Sequence, residues 1–109
     1  QQHWEKTVQR YLEERKTLRA LILPVDCRRE PTAPDRKLIE WCATADLPIH
    51  ILLTKCDKLG RGKRLQALRD ANKFLQGMPL VTTQLFSATQ SIGVDEARER
   101  IAELLSQKA

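Results

Sequence analysis

The sequence of 109 residues lacks any apolar stretch near the roughly twenty residues a membrane-spanning helix needs. Its longest run, Leu21-Ile22-Leu23-Pro24-Val25, is only strand-sized. It lacks C-x-x-C: the three cysteines, Cys27, Cys42 and Cys56, are odd in number and far apart. That argues against a disulfide framework and fits buried free thiols in a reducing cytosol. His3 and His50 are the only histidines, and neither stands at ligand spacing from a cysteine, so no zinc site is expected. Aromatic residues make up 5%, too few for a platform that stacks single-stranded bases. No pair among Gly60, Gly62, Gly77 and Gly93 has the spacing of the phosphate-binding G-x-x-x-x-G-K-[ST] loop. Repeats and low-complexity tracts are also missing. The opening Gln-Gln-His-Trp-Glu-Lys is neither a signal peptide nor a methionine start, and is read as processed or as part of something longer.

What is present is the make-up of one small globular domain, 41% hydrophobic and 30% charged. Nineteen Lys and Arg against fourteen Asp and Glu leave a net charge of +5. An excess of that size favours anionic partners such as nucleotides, RNA or acidic protein surfaces, without choosing among them.

The apolar period switches along the chain. Trp4, Val8, Tyr11 and Leu12 share one helical face, which predicts a helix from His3 to about Arg15. The nearly continuous run Arg19 to Asp26 predicts a parallel strand covered on both faces, with Pro24 the awkward member. A helix is expected over Asp35 to Thr44, a strand over Ile49 to Thr54, and a loop from Lys55 to Gly62. A third helix is expected from Arg61 to about Gln76, with Leu65, Leu68, Ala71 and Leu75 inward and Gly77 and Pro79 as its stop. Leu80 to Phe86 reads as the last strand, and about Val94 to Ser106 as the last helix, burying Val94, Ala97, Ile101 and Leu104 or Leu105. The order α-β-α-β-α-β-α implies an α/β fold: a three-layer parallel sheet with helices on both faces. Ligands of such sheets bind beyond the carboxyl ends of the strands. That selects Asp26 and Arg28, then Thr54 to Asp57, then Ser87 to Thr89.

Two of these segments suit a purine. Guanine presents two donors on one edge, N1–H and the exocyclic amino group, and one carboxylate can accept both. Adenine has no such pair, so Asp57 would discriminate between them. Guanine O6 needs an N–H from a tight loop, which Ser87-Ala88 can supply. The aliphatic stem of Lys55 can lie over the base.

Thr54-Lys55-Cys56-Asp57 resembles the [NT]-K-x-D motif of the translation-factor-type GTPases, and Phe86-Ser87-Ala88 resembles their second base-contacting loop. The wider text resembles the EngB family of bacterial GTPases over nearly the whole chain. It runs Trp4…Tyr11-Leu-Glu-Glu-Arg15, Val25-Asp-Cys-Arg28, Asp35…Glu40-Trp41, Leu52-Leu-Thr-Lys-Cys-Asp-Lys-Leu59, Gln84-Leu-Phe-Ser-Ala88 and Gly93-Val-Asp-Glu-Ala97. The resemblance implies the C-terminal half of a P-loop GTPase domain, with Thr54, Lys55, Cys56, Asp57, Phe86, Ser87 and Ala88 around guanine. It implies GTP or GDP with Mg2+ in the intact protein, a cytoplasmic location, and a role in large ribosomal subunit assembly and cell division, with the subunit or its rRNA as partner.

The parts that hold phosphates, magnesium and the attacking water are missing from these residues. Gly60-Arg-Gly-Lys63 lacks both the cradle length and the Ser or Thr for magnesium, and no D-x-x-G occurs before the first helix. Hydrolysis of GTP by this chain alone is therefore not expected, and neither catalytic nor metal-binding residues are assigned. With the phosphate-loop strand absent, Leu21, Leu23 and Val25 are expected on a bare edge, which invites self-association. Asp26 and Arg28 read as a local brace, and Trp41 and His50 as packed residues. Two other readings fit the composition. One is a basic α/β module that binds RNA or a protein partner without nucleotide; Arg61, Lys63, Arg64, Arg69 and Lys73 themselves read as a solvated helix face or, in a ribosome-assembly factor, as a contact for RNA phosphates. The other is a receiver-like domain, which the basic neighbours of Asp26 disfavour.

Overall fold

The computed structural model describes residues 20–106, and the predicted helix from His3 to Arg15 lies outside them. Six elements follow in order: β1 (Leu21–Asp26), α1 (Ala33–Thr44), β2 (Ile49–Thr54), α2 (Arg61–Phe74), β3 (Val81–Leu85) and α3 (Val94–Ser106). The strands form one parallel sheet in the order β1-β2-β3. Leu21 pairs with Ile49 and Asp26 with Thr54, while Ile49 pairs with Val81 and Leu53 with Leu85.

This register puts all odd-numbered strand residues on one face. There Leu23, Val25, Ile49, Ile51 and Leu53 join Leu38, Ile39 and Cys42 of α1, together with Leu47, Cys56 and Leu75, in the main core. Trp41 packs against that cluster. The opposite face carries His50, Thr82 and Gln84, whose side chains are hydrogen-bonded to one another. Gly93, just before α3, accepts a hydrogen bond from Gln84 on that face. Ala97 and Leu104 of α3 are buried outside the main cluster.

Local signals account for the helix ends. Thr32 caps α1 reciprocally with Asp35: the Asp35 amide donates to Thr32 Oγ1 (3.3 Å), and the Thr32 amide donates to Asp35 Oδ2 (3.2 Å). Helix α1 therefore begins at Ala33, two residues earlier than the apolar period alone suggests. Beyond α2, Gly77 takes a φ of 88°, and Pro79 follows before β3.

Three expectations need correction. Leu65 is 49% exposed and so is not inward, whereas in α3 the choice between Leu104 and Leu105 falls to Leu104, which is buried. Helix α2 has no fully buried residue and meets the sheet through Leu68, Ala67 and Ala71, so its apolar stripe is narrower than the sequence implied. Within the described sheet β1 is an edge strand, but its apolar side chains are not bare: Leu23 and Val25 are buried and Leu21 is half-buried. Only the backbone of the edge is open to pairing.

Pro24 explains itself in this geometry. The amides of Leu21 and Cys27 donate towards β2, to Pro48 and Thr54. Pro24 is three residues from each, so its missing N–H falls on the outer side and costs the β1–β2 ladder nothing. A proline there also interrupts the donor row that another strand would need.

Candidate functional site

Parallel pairing brings the carboxyl ends of β1, β2 and β3 to one edge, and three loops leave from there. The first loop closes on itself. Arg28 donates through Nε to Asp26 Oδ1 (3.0 Å), through Nη2 to Oδ2 (2.8 Å), and through its backbone amide to Oδ1 (2.9 Å). This fork holds the Asp26 carboxyl well below the usual carboxylate range, chiefly through the side-chain bond to Arg28. Asp26 and Arg28 are thus a loop brace, as their spacing suggested.

The second loop leaves β2 at the half-buried Thr54, whose carbonyl accepts from the Cys27 amide (3.0 Å). Lys55 then turns left-handed, at φ 60° and ψ 30°, with its side chain exposed. A non-glycine residue pays of order 1 kcal/mol or more for that conformation, so the surroundings must hold it. They do so from two sides. The Cys56 amide donates to the Phe86 carbonyl (3.2 Å), and Arg64 Nε donates to the carbonyls of Cys56 (2.8 Å) and Leu59 (2.9 Å). The segment Cys56–Lys58 forms one 3-10 turn where an open loop was expected. Cys56 itself is fully buried, so it anchors the turn, and Asp57 is displayed beside it with 13% of its side chain exposed.

The third loop is tied to Asp57 directly. The Ser87 hydroxyl donates to Asp57 Oδ1 (2.7 Å) and accepts from the Gln90 amide (3.2 Å). Ser87 and Ile92 exchange both backbone hydrogen bonds at 2.9 Å, which closes the loop between them. Phe86 is half-buried, and its amide donates to the Leu53 carbonyl (2.9 Å). Ala88 is exposed, and its amide has no hydrogen-bond acceptor among the described residues. The Asp57 carboxyl lies below its ordinary value. The Ser87 hydrogen bond is the main cause, with Lys58 and Arg64 adding attraction.

The arrangement is chemically specific. It offers one ionised carboxylate with spare acceptor capacity, one unpaired backbone donor and one exposed lysine stem, all at the ligand-binding edge of a parallel sheet. The sequence singled out Asp57, Ser87, Ala88 and Lys55. It missed Arg64, which read as part of a solvated basic face, and Gln84, whose hydrogen bonds only the tertiary structure makes. A separate groove of about 450 Å3 lies between α1 and α2, floored by Val25, Ile39, Ile51 and Leu53, and does not include Asp57, Ser87 or Ala88. Among the described residues no three His, Cys, Asp or Glu side chains converge as a metal site would require. No described helix is long and apolar enough to cross a membrane.

Curated proteins similar to this chain agree with one another. It is 49% identical over 107 residues to a probable GTP-binding protein EngB of Paraburkholderia phymatum, a match covering 91% of this chain and 48% of that protein. Against a probable GTP-binding protein EngB of Paraburkholderia xenovorans it is 44% identical over 113 residues, covering 98% of this chain and 52% of the other. The chain is homologous to the EngB GTP-binding proteins. It spans about half the length of the EngB relatives it matches, and that half is C-terminal. No family model matches it. Among solved structures, the translation elongation factor SelB of Methanococcus maripaludis, in its apo form, superposes with a TM-score of 0.70 at 21% identity. That match covers 82% of this chain and 21% of SelB. At that identity it speaks for the fold alone, a parallel sheet flanked by helices like that of the P-loop GTPases.

Proposed function

We propose that the chain is the guanine-recognising half of an EngB-type GTP-binding protein. The observation that carries this reading is the Ser87–Asp57 hydrogen bond, which joins the two loops and aims a carboxylate that still has free lone pairs. Asp57 accepts from guanine N1–H and the exocyclic amino group. The Ala88 amide donates to O6, and the stem of Lys55 covers the base face. Cys56 and Phe86 act through their backbones, holding the two loops together, and Thr54 ties the Asp57 loop to Cys27 in the same way. The residues fit a guanine base. The phosphate and magnesium signatures do not occur in these 109 residues, so GTP or GDP with Mg2+ belongs to the intact protein. When bound, magnesium would neutralise phosphate charge, and nothing in this chain is assigned to it.

The intact protein would then act in large ribosomal subunit assembly and in cell division, as the resemblance implies, in the cytoplasm, with the subunit or its rRNA as partner. Self-association of the isolated chain through β1 is a weaker expectation, because Pro24 interrupts the open edge.

The test is nucleotide exchange at one atom. In the full-length protein, Asp57→Asn turns an acceptor into a donor. It should weaken GDP and favour xanthosine diphosphate, whose base carries a carbonyl where guanine has its amino group. Unchanged GDP affinity would remove the assignment. Equal binding of guanine and adenine nucleotides, together with strongly salt-dependent RNA binding, would favour the basic-module reading instead.

A further inference from the structure

We propose that Gln84 is a positioning residue for guanine discrimination, acting through the 86–92 loop on Asp57. The inference rests on the guanine-reading site proposed above.

Gln84 sits on β3 with 2% of its surface exposed and points away from the aliphatic core. A buried carboxamide is costly unless its bonds are made, and here both N–H groups and the oxygen have partners. Nε2 donates to the Leu85 carbonyl (3.1 Å) and to the Gly93 carbonyl (2.8 Å). Those two acceptors fix which end of the amide is nitrogen. Oε1 must therefore accept, and it does so from His50 Nε2 at 2.7 Å. The other ring nitrogen, Nδ1, is hydrogen-bonded to the Thr82 hydroxyl at 2.6 Å. The chain of bonds runs from Thr82 through His50 and Gln84 to the two carbonyls.

What those carbonyls bracket is the point. Leu85 is the last residue of β3 and Gly93 the residue before α3, so one carboxamide gathers both ends of the loop that carries Ser87 and Ala88. Gly93 also starts α3, since its carbonyl accepts from the Ala97 amide (2.9 Å). The closure is tight. Gly93 has a φ of 72°, and a Cβ there would run into the Leu85 carbonyl oxygen. Inside the loop, the Ser87 hydroxyl sets the orientation of Asp57. An aliphatic residue at 84 would fill the same space without holding Gly93 over Leu85. On the sheet side this position has only to offer an acceptor to His50 Nε2; the two N–H groups of the amide go to the loop's ends, outside the Ser87–Ile92 pair that closes it.

The experiment compares GDP with inosine diphosphate, which lacks the exocyclic amino group and so offers Asp57 one donor fewer. In the full-length protein the ratio of Kd for inosine diphosphate to Kd for GDP should be about tenfold or more, the worth of one hydrogen bond to a charged acceptor. Gln84→Met preserves volume and removes every polar bond. It should reduce the ratio to below about threefold, as expected when Asp57 is no longer aimed. A merely structural role would weaken both nucleotides equally and leave the ratio alone. Leu38→Ala, which opens a cavity in the other face, should lower the melting temperature and keep the ratio. If Gln84→Met does not fold, Gln84→Asn replaces it, being polar but too short to reach Gly93, with the same expected collapse. A wild-type ratio near one would overturn the guanine reading itself. A wild-type preference kept intact in a folded Gln84 variant would overturn only the positioning role.

Discussion

Two aspartates, Asp26 and Asp57, stand at the ends of neighbouring strands in the same sheet, yet the structure treats them differently. Asp26 takes three hydrogen bonds from Arg28, two residues on, and is closed. Asp57 has a single side-chain hydrogen bond, from Ser87 thirty residues away, and its nearest cation, Lys58 Nζ, stands 3.9 Å from Oδ2. Both carboxyls are held below their ordinary values, so acidity alone does not separate them. Acceptor capacity does. A carboxylate saturated by its own loop braces that loop. One that is oriented but not saturated can still receive the donors of a ligand.

Exchanging each carboxylate for its amide sharpens this contrast most. Asp57→Asn should cost about two to four orders of magnitude in GDP affinity, the value of two hydrogen bonds to a charged group, while Asp26→Asn should leave GDP affinity unchanged in the same titration. Ser87→Ala comes next. It removes the hydroxyl that aims Asp57, and GDP affinity should fall roughly tenfold. The Asp57 carboxyl should also rise towards its ordinary value. The wild-type carboxyl ionises at lower pH than a free one, so GDP binding in Ser87→Ala should begin to fail at a higher pH than in wild type. Carboxyl NMR titrations and binding isotherms read the two effects.

Stability gives a smaller signal with a defined sign. A carboxylate depressed in the folded state adds stability that is complete above its unfolded value and lost as pH falls through the folded one. Asp26→Asn should therefore lower the melting temperature by a few degrees at neutral pH. The gap to wild type should close only in strong acid. The smallest expected effect is an absence of reaction. Burial pushes the Cys42 thiol up to about 11, and it also raises Cys27. Only about one part in a thousand of Cys42 is then thiolate at pH 8. A disulfide reagent should label neither thiol until denaturant is added.

Most of the architecture was legible because it rests on short-range rules. The continuous run at β2 placed that strand to the residue, and helical spacing placed α3 equally well. Thr32 moved the start of α1 because a capping box acts through side chains that a hydrophobic period does not register. Leu65 misled for a related reason. Its spacing fits an inward stripe, but α2 meets the sheet through Ala67, Leu68 and Ala71 and leaves that position in solvent. At the site, the sequence placed Asp57 and Ser87 just beyond the ends of two neighbouring strands, which is where the structure has them. Their hydrogen bond was not legible, because the thirty residues between them must first fold into α2 and β3. Arg64 looked like one more cation on a basic helix until the structure placed its Nε between two carbonyls.

The sequence by itself determined the element order, the parallel sheet that alternation demands, the strand ends where a ligand would lie, and the resemblance to the EngB proteins. Periodicity, turn residues and short motifs are properties of neighbouring residues, and they survive in one dimension. Tertiary structure alone decided which aspartate is spent and which is available, why Pro24 costs β1 nothing, and why His50 and Gln84 are buried together. Each of those outcomes depends on which donors and acceptors meet across strands, and a chain makes that selection only when it folds.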